Sequence, residues 1–272
     1  MNLELKLKLR ENKLIRTIMY PLKRLEGLFE ESHYRSVDAP KRIKAFRGIH
    51  SGKRCFIIGN GPSLTTMDLE KLRNEYTFAS NRIYRLYDQT DWRPSYWMCV
   101  DPNIIQKDAA IIPNLKGVKF VSSIAGKYGI EPGSDLYYVY NHQRFAINKY
   151  SVRKKIAFSE DAAVCLESGE TVTYNAIQLA VYMGFTEIIL LGVDHSYSQT
   201  VDEKGKMHYD ASIKDYFGNV KTESFNIQNK AVATKAFRVA RKYAENHSIS
   251  IYNATRGGKL DVFPRIDLDD IL

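Results

Sequence analysis

From Lys53 onward, short apolar runs alternate with longer amphipathic or polar stretches. The run Ile188–Leu191 is typical, because it has no charged side chain on either face. A strand that is apolar on both faces indicates a parallel sheet covered by helices on both sides. Seven strands are predicted, at Cys55–Ile58, Thr77–Ala79, Tyr96–Val100, Val118–Val121, Leu136–Tyr140, Glu187–Leu191 and Ser250–Tyr252.

Amphipathic stretches between these runs predict helices at Met67–Asn74, Val172–Met183 and Ile227–Asn246. Strands that alternate with helices predict a single doubly wound, mostly parallel α/β sheet of the Rossmann-like type over residues 51–272. Ligands of such sheets bind beyond the carboxyl ends of the strands. The residues that directly follow each strand are therefore the candidates for a site.

Residues 1–50 form a separate leader with a different pattern. Apolar residues recur every three or four positions from Leu14 to Phe29, with basic residues at other positions, and Pro21 can bend the segment. This predicts a basic amphipathic helix. It serves either as a peripheral anchor on anionic lipid, or as a helix that packs its apolar stripe on the domain or on a sister subunit.

The net charge of +9 is concentrated in this leader, which holds twelve Lys or Arg against six Asp or Glu. Its basic residues are not interleaved with aromatic stacking residues, so nucleic-acid binding is not expected. No run is long enough to span a membrane, and the N-terminus lacks the pattern of a secretory signal. We expect a cytoplasmic protein that lies peripherally on the inner membrane face if the leader binds lipid.

The three cysteines, Cys55, Cys99 and Cys165, are far apart and show no CxxC spacing, so neither a disulfide framework nor a zinc site is expected. The segment of about residues 195–226 is polar, lacks strong periodicity and contains three tyrosines. A loop of this length in a compact domain is typically a lid or disordered, and the aromatic content favours a lid over a ligand.

The run Gly59-Asn60-Gly61-Pro62-Ser63-Leu64 directly follows the first strand. Its glycines allow close backbone approach to a ligand, and the N–H groups of the following helix favour a phosphate. The alternative is a plain strand-to-helix turn with Ser63 or Thr66 as the helix N-cap. The run is neither the GxGxxG fingerprint nor a P-loop, so a dehydrogenase or a P-loop enzyme is not supported.

This run resembles the opening motif of the bacterial sialyltransferases of glycosyltransferase family 42. The same motif opens the catalytic domain of motility accessory factors, which attach nonulosonic acids, and the archaeal hydroxymethyl-dihydropterin diphosphokinases. The resemblance covers roughly 200 residues and implies a GT-A-variant fold. It continues at Ala79-Ser80-Asn81-Arg82, Val100-Asp101-Pro102, Thr171–Gly184 and Gly192-Val193-Asp194.

The resemblance implies that Asn60, Ser63 and Asn81 hold the cytidine monophosphate (CMP) of the donor. Asp101 stands where the sialyltransferases have an asparagine. A carboxylate there could accept a hydrogen bond from a ribose hydroxyl or a base, or could ligate Mg²⁺. This difference leaves the identity of the donor open.

The family's Thr-Ser pair at a helix start contacts the donor, and here Thr171 matches while Val172 replaces the serine. Thr171 and Thr173 are therefore carried over, although plain helix capping explains them equally well. Asn175, one turn further along, could face the same cleft. The matching Gly192, Val193 and Asp194 are implied to lie at the nucleotide.

For catalysis, the resemblance implies that lid tyrosines stabilise the departing phosphate, with Tyr197, Tyr209 and Tyr216 as candidates. The acceptor hydroxyl needs a base, and histidine suits this role because its pKa lies near neutrality. His208 in the lid and His195 at a strand end are the candidates. No metal ion or other cofactor is expected for this chemistry.

The first hypothesis is an inverting, metal-independent glycosyltransferase. It transfers a sialic-acid-like nonulosonic acid from a CMP-activated donor to a saccharide or glycolipid acceptor of lipopolysaccharide or capsule. The enzyme is expected to be a homo-oligomer. The alternatives are a Mg²⁺-dependent diphosphokinase that acts on a pterin-like alcohol with ATP, with Asp101, Asp194 and Asp202 as metal ligands, or a non-catalytic nucleotide-binding protein.

Overall fold

The computed structural model describes residues 13–142, 155–201, 207–210, 212–214 and 229–272. Tyr216, Asp202 and most of the predicted lid therefore lie outside the described residues. The helices and strands, in chain order, are α1 (Lys13–Ser36), α2 (Ala39–Lys44), β1 (Arg54–Ile58), α3 (Thr66–Lys71), β2 (Thr77–Ser80), β3 (Tyr96–Cys99), α4 (Pro102–Lys107), β4 (Val118–Ser122), β5 (Leu136–Val139), β6 (Asn141–His142), β7 (Leu166–Glu167), α5 (Val172–Tyr182), β8 (Glu187–Leu191), β9 (Gln199–Val201), β10 (Met207–Tyr209), α6 (Lys230–Asn246) and β11 (Ser250–Asn253).

The main sheet of the described chain has seven strands in the order β11-β8-β1-β2-β3-β4-β5, and all neighbours are parallel. These are the seven predicted strands, and each end lies within one residue of its predicted position. The predicted doubly wound α/β fold is therefore confirmed.

Successive side chains of each strand point to opposite faces of the sheet, and because both sets are mostly apolar, helices cover both faces. In β1, Cys55 and Ile57 belong to one hydrophobic core while Phe56 and Ile58 belong to the other. The first core is closed by apolar residues of α5 and α6, and the second by residues of α3 and α4. A central strand that is buried on both faces must be apolar throughout, as the sequence pattern indicated.

The strand order reverses at β1, because the chain builds β2 to β5 on one side of β1 and then returns to add β8 and β11 on the other. This reversal leaves a crevice beyond the carboxyl ends of β1, β2 and β8, which is where open α/β sheets bind their ligands. We call it the switch crevice.

The second half of the leader is part of the domain core. Tyr34 and Ile43 are buried, Phe46 packs against Phe120, and Tyr34 donates from its hydroxyl to Ala163 O over 3.0 Å. Further toward the N-terminus, the leader forms the predicted helix, and six of its apolar residues between Leu14 and Phe29 are exposed. No helix among the described residues is both long and apolar enough to cross a bilayer.

Short elements were not predicted. The six-residue helix α4 and the two-residue strands β6 and β7 are too short to show periodicity. Strands β9 and β10 form an antiparallel hairpin within the predicted lid. Helix α3 is shorter than predicted and begins with a capping box between Thr65 and Asp68, whose side chains bond each other's backbone N–H groups.

Candidate functional site

The turn after β1 packs directly against the turn after β8. Gly61 N donates to Gly192 O over 2.9 Å, and Gly192 adopts a φ of 66°, which favours glycine. A Cβ atom at Gly59 would overlap Gly192 O, and one at Gly61 would overlap the carboxylate of Asp194. The glycines of the predicted motif therefore allow two strand ends to approach closely, whatever else they bind.

Ser63 and Asp194 are joined across this contact. The Ser63 hydroxyl donates to Asp194 Oδ2 over 2.7 Å, and its backbone N–H donates to the same carboxylate. Burial raises the pKa of Asp194, and the hydrogen bonds from Ser63 partly offset that rise. The resemblance implies that Ser63 holds the CMP of the donor. Its hydroxyl and its backbone N–H, however, already bind a carboxylate of the same chain.

Two side-chain oxygens beside this turn have no hydrogen-bond partner. Asn60 donates from Nδ2 to Ser80 O over 2.9 Å, which fixes the orientation of its amide, and its Oδ1 is buried without a partner. Asn81 Oδ1 is likewise buried and unpartnered. Leaving a buried acceptor unsatisfied costs about 1–3 kcal/mol. The switch crevice therefore offers two acceptors for hydroxyl or amino groups of a ligand.

The backbone of Asn81 holds its side chain in place. Its φ of 51° is left-handed, a conformation that asparagine tolerates better than most residues, and its carbonyl accepts from Trp97 Nε1 over 2.9 Å. The next residue, Arg82, forms a buried ion pair with Asp108. The predicted strand-end position of Asn81 is therefore a rigid one.

The turn after β11 completes the switch crevice, and the sequence reasoning missed it. Thr255 Oγ1 accepts from Val193 N over 3.0 Å. The Arg256 guanidinium donates to Ser63 O over 3.1 Å and forms an ion pair with Asp68. The signal was present, since the polar run Thr255-Arg256 follows a predicted strand.

His195 is buried at the end of β8, with 3% of its surface exposed. The Thr234 hydroxyl donates to Lys230 O, so Thr234 accepts from His195 Nε2, at 2.8 Å. This tautomer leaves Nδ1 as an acceptor, and Nδ1 has no partner. Burial, and then the charge of Lys230, lower the pKa of His195 to about 4. The imidazole is therefore neutral at pH 7.

The other catalytic candidates belong to the lid. His208 is exposed on β10, where it pairs with Thr200 of β9. Tyr209 lies on the same strand. The ring of Tyr197 contacts that of His195, with centroids 5.8 Å apart. The structure thus places Tyr197 in the connection between β8 and β9, and His208 on the β9–β10 hairpin.

The remaining predicted residues cap helices or lie in the interior. Thr171 Oγ1 accepts from Thr173 N at the start of α5, over 3.3 Å. Asp101 Oδ1 accepts from Asn103 N at the start of α4, over 2.8 Å. Asn175 is buried and donates to Asn141 Oδ1. Each of these side chains already has a structural role, as the capping interpretation of the sequence allowed.

The fold is that of a doubly wound α/β protein, and its switch crevice is a polar, glycine-lined candidate site. A sequence model of the family described as 6-hydroxymethylpterin diphosphokinase MptE-like matches residues 31–200. The match covers more than half of the chain, so the protein belongs to the MptE-like family. This family is one of the three groups that the Gly59–Leu64 motif resembles, so the resemblance is confirmed. No curated protein sequence matches the chain.

Two solved structures are similar to this one. The MAf glycosyltransferase from Magnetospirillum magneticum aligns with a TM-score of 0.49 and 14% identity, over 84% of this chain and 38% of that one. The chain therefore spans less than half of that protein. The sialyltransferase CstII from Campylobacter jejuni, in complex with the substrate analogue cytidine-5'-monophosphate, aligns with a TM-score of 0.39 and 13% identity, over 79% and 85% of the two chains.

Proposed function

We propose that the protein is an inverting glycosyltransferase that transfers a nonulosonic acid from a CMP-activated donor to a cell-surface saccharide. The observation that carries the proposal is the pair of unpartnered oxygens, Asn60 Oδ1 and Asn81 Oδ1, beside the glycine turn. Acceptors suit the hydroxyl and amino groups of a nucleoside. The same two asparagines match those that hold CMP in the family that the motif resembles.

The phosphate of the donor needs other partners, because Asp194 already binds the Ser63 donors. Arg256 is a cation at this turn, since it bonds the Ser63 carbonyl and its side chain is 54% exposed. We propose that Arg256 neutralises the phosphate and that the lid tyrosines, of which Tyr197 lies between β8 and β9, donate hydrogen bonds to it. Such fixed donors stabilise a leaving phosphate without a metal ion.

The acceptor hydroxyl needs a base within reach. His208 is exposed on the β9–β10 hairpin, so an acceptor can approach it directly. His195 is neutral, but its Nδ1 is as buried as the two asparagine oxygens, so a ligand reaches any of these atoms only if the crevice opens. We therefore propose His208 as the base, and His195 as the alternative.

A diphosphate transfer from ATP is the second candidate, because the matching family is described as 6-hydroxymethylpterin diphosphokinase MptE-like. It would need Asp101 and Asp194 to ligate Mg²⁺. In the described part of the chain, however, the one cluster of three metal-ligating side chains lies elsewhere and includes neither aspartate. Asp101 caps a helix, and Asp194 is bound by Ser63. These contacts favour the glycosyltransferase.

Calorimetric titration of CMP and of ATP, each with and without Mg²⁺, separates these functions. We expect CMP to bind without Mg²⁺ and Asn60→Ala to weaken it about tenfold, which corresponds to one lost hydrogen bond. Asn114→Ala, at an exposed helix end, is the matched control and should bind normally. Tight binding of ATP that requires Mg²⁺ supports the diphosphokinase. Binding without turnover of any CMP-sugar supports a non-catalytic protein.

We also propose that the leader contacts the anionic inner face of the membrane and so brings the site to a lipid-linked acceptor. Six apolar residues of α1 are half or more exposed: Leu14, Ile18, Leu22, Leu25, Leu28 and Phe29. Basic residues flank this stripe, as at Arg24. Sedimentation with vesicles that contain phosphatidylserine should recover the protein.

Leu22→Glu should abolish this recovery, whereas Met67→Glu, at an apolar side chain exposed elsewhere, should not. Light scattering in the absence of vesicles measures the oligomeric state of both proteins and so tests whether the stripe binds a sister subunit instead. If Leu22→Glu converts an oligomer into a monomer while vesicles bind neither protein, the stripe holds a sister subunit and the membrane proposal fails.

A further inference from the structure

A second cluster of reactive side chains lies where β6 pairs with β7, after the far edge strand β5. The parallel register places His142 beside Glu167, and Cys165 directly precedes β7. One ligand atom from each of these three side chains lies within 4.8 Å of the other two. Among the described residues, this is the one group of three metal-ligating side chains that close together.

The spacing of the His142 and Glu167 ligand atoms matches a four-coordinate zinc site, and the Cys165 sulfur lies within 4.8 Å of both. His142 Nδ1 lies 3.3 Å from Glu167 Oε1. Bonds of about 2.0–2.2 Å to nitrogen and oxygen ligands at a tetrahedral angle place two such ligands about 3.3 Å apart. An imidazole, a thiolate and a carboxylate form a borderline-soft set, which favours Zn²⁺ over Mg²⁺ or Ca²⁺.

The backbone that holds the ligands is fixed from outside the cluster. Gln178 of α5 is fully buried and clamps Glu167, accepting from its N–H over 3.0 Å and donating to its carbonyl over 2.9 Å. The carbonyl of His142 accepts from Ser168 N over 3.0 Å. A preorganised set of this kind needs little rearrangement to receive an ion.

Burial and charge also suit a divalent cation. Glu167 is 6% exposed, and its carboxylate already lies 3.3 Å from the His142 imidazole nitrogen, so the cluster holds an acidic group where a cation is favourable. A thiolate from Cys165 and the carboxylate of Glu167 together balance the two charges of Zn²⁺. The side chain of His142 is 36% exposed, so the cluster opens to solvent on one side.

We propose that His142, Cys165 and Glu167 bind Zn²⁺ with a fourth position open to water or a ligand. Three protein ligands and one exchangeable position are the arrangement of catalytic zinc ions, whereas closed structural sites use four protein ligands. The proposal is independent of the CMP-binding proposal, because it involves none of the residues of the switch crevice.

Cobalt substitution of the full-length protein tests this site. After dialysis against a chelator, one equivalent of Co²⁺ should produce a thiolate-to-cobalt charge-transfer band, and Zn²⁺ should displace it. Cys165→Ser should abolish the band. Cys55 and Cys99 are completely buried, so they do not replace Cys165 in the folded protein. His247→Gln, at an exposed histidine outside the cluster, is the control that should keep the band.

Thermal denaturation gives a second measurement that does not depend on cobalt. A ligand that binds the folded state raises the melting temperature, so Zn²⁺ should raise it in the wild type. Glu167→Gln keeps the thiol and nearly the same shape, and it should lose most of this shift if it folds as the wild type does by circular dichroism. Mg²⁺ should have no such effect.

The proposal is overturned if wild-type protein shows no charge-transfer band, or if the band persists in Cys165→Ser. It is also overturned if Mg²⁺ stabilises the protein as Zn²⁺ does. CMP binding measured after chelation separates the two proposals, since it should remain unchanged whether or not zinc binds.

Discussion

Ser63 and Asp194 are 131 positions apart in the chain, yet the Ser63 hydroxyl donates to the Asp194 carboxylate over 2.7 Å. This bond joins the turn after β1 to the turn after β8, at the point where the strand order reverses. It keeps an acidic group buried beside a candidate nucleotide site, and burial raises the pKa of that group. A buried acidic group that lowers the stability of the folded protein is typical of functional sites.

Asp194→Asn should stabilise the protein at neutral pH. Because the folded pKa of Asp194 lies above the unfolded value, its contribution to stability is largest below the unfolded pKa of about 3.9 and is lost as pH rises through the folded pKa. Asparagine removes this cost and still accepts from Ser63. Urea unfolding at pH 7 should show a higher midpoint for the variant, and a smaller difference below pH 4. Equal midpoints at pH 7 would contradict the buried-charge argument.

Gly61→Ala should separate the turns after β1 and β8. The added Cβ would overlap the Asp194 carboxylate, and overpacking of this kind typically costs about 1–3 kcal/mol. Gly133→Ala is the matched control, because a Cβ there meets no atom within 4 Å. Urea denaturation should show the loss for the first variant, and no change or a small gain for the second. A similar change in stability for both variants would show that the close approach of the two turns does not require a glycine at position 61.

Asn81 allows binding to be separated from folding. With its φ of 51°, Asn81→Gly should retain stability while it removes the unpartnered Oδ1, whereas Asn81→Ala should also lose about 1 kcal/mol through backbone strain. Calorimetry with CMP should show about tenfold weaker binding for both variants. If only the less stable variant, Asn81→Ala, binds CMP more weakly, then Asn81 shapes the backbone and does not bind the ligand.

His195 should make the protein acid-sensitive. Its folded pKa of about 4 is below the unfolded value of about 6.5, so the unfolded state binds the proton first and stability falls as pH drops from about 6.5 to about 4. The full effect is up to about 3 kcal/mol. His195→Asn tolerates the left-handed backbone at this position and should flatten that part of the stability profile. His247→Asn should not flatten it.

The pH profile of turnover also distinguishes the two candidate bases. If His195 is the base, the acidic limb of the rate profile should fall near pH 4, and Thr234→Val, which removes the partner of Nε2, should move it. If His208 is the base, His208→Ala should abolish turnover while CMP affinity is retained. An acidic limb that neither variant affects would exclude both histidines.

The leader should divide into two parts that differ in their effect on stability. Tyr34 is 1% exposed and bonds Ala163 O, so Tyr34→Ala should cost roughly 3–5 kcal/mol. Leu22 is 53% exposed, so Leu22→Ala should change stability by less than about 0.5 kcal/mol. Denaturant titrations measure both. If Tyr34→Ala is as mild as Leu22→Ala, the predicted leader of residues 1–50 is detached from the domain over its whole length.

The sequence by itself determined the sheet. All seven main strands and the helices α5 and α6 were predicted, because a strand covered on both faces must be apolar and a helix must repeat its apolar residues every three or four positions. The position of the switch crevice followed from the same pattern, because polar residues after a strand end lie at one edge of a parallel sheet. Elements of two to six residues, such as β6, β7 and α4, do not contain enough residues to show a period.

Only the tertiary structure decided which side chains meet. Ser63 meets Asp194, Arg256 meets Asp68, and His142 meets Cys165 and Glu167 because the strand order brings distant segments together. None of these pairs has a local spacing that a sequence pattern could reveal. Burial and partners set the chemistry of each group: they make Asp194 harder to ionise, keep His195 neutral and leave two asparagine oxygens unpartnered. Local periodicity determines the elements, whereas long-range packing determines the site.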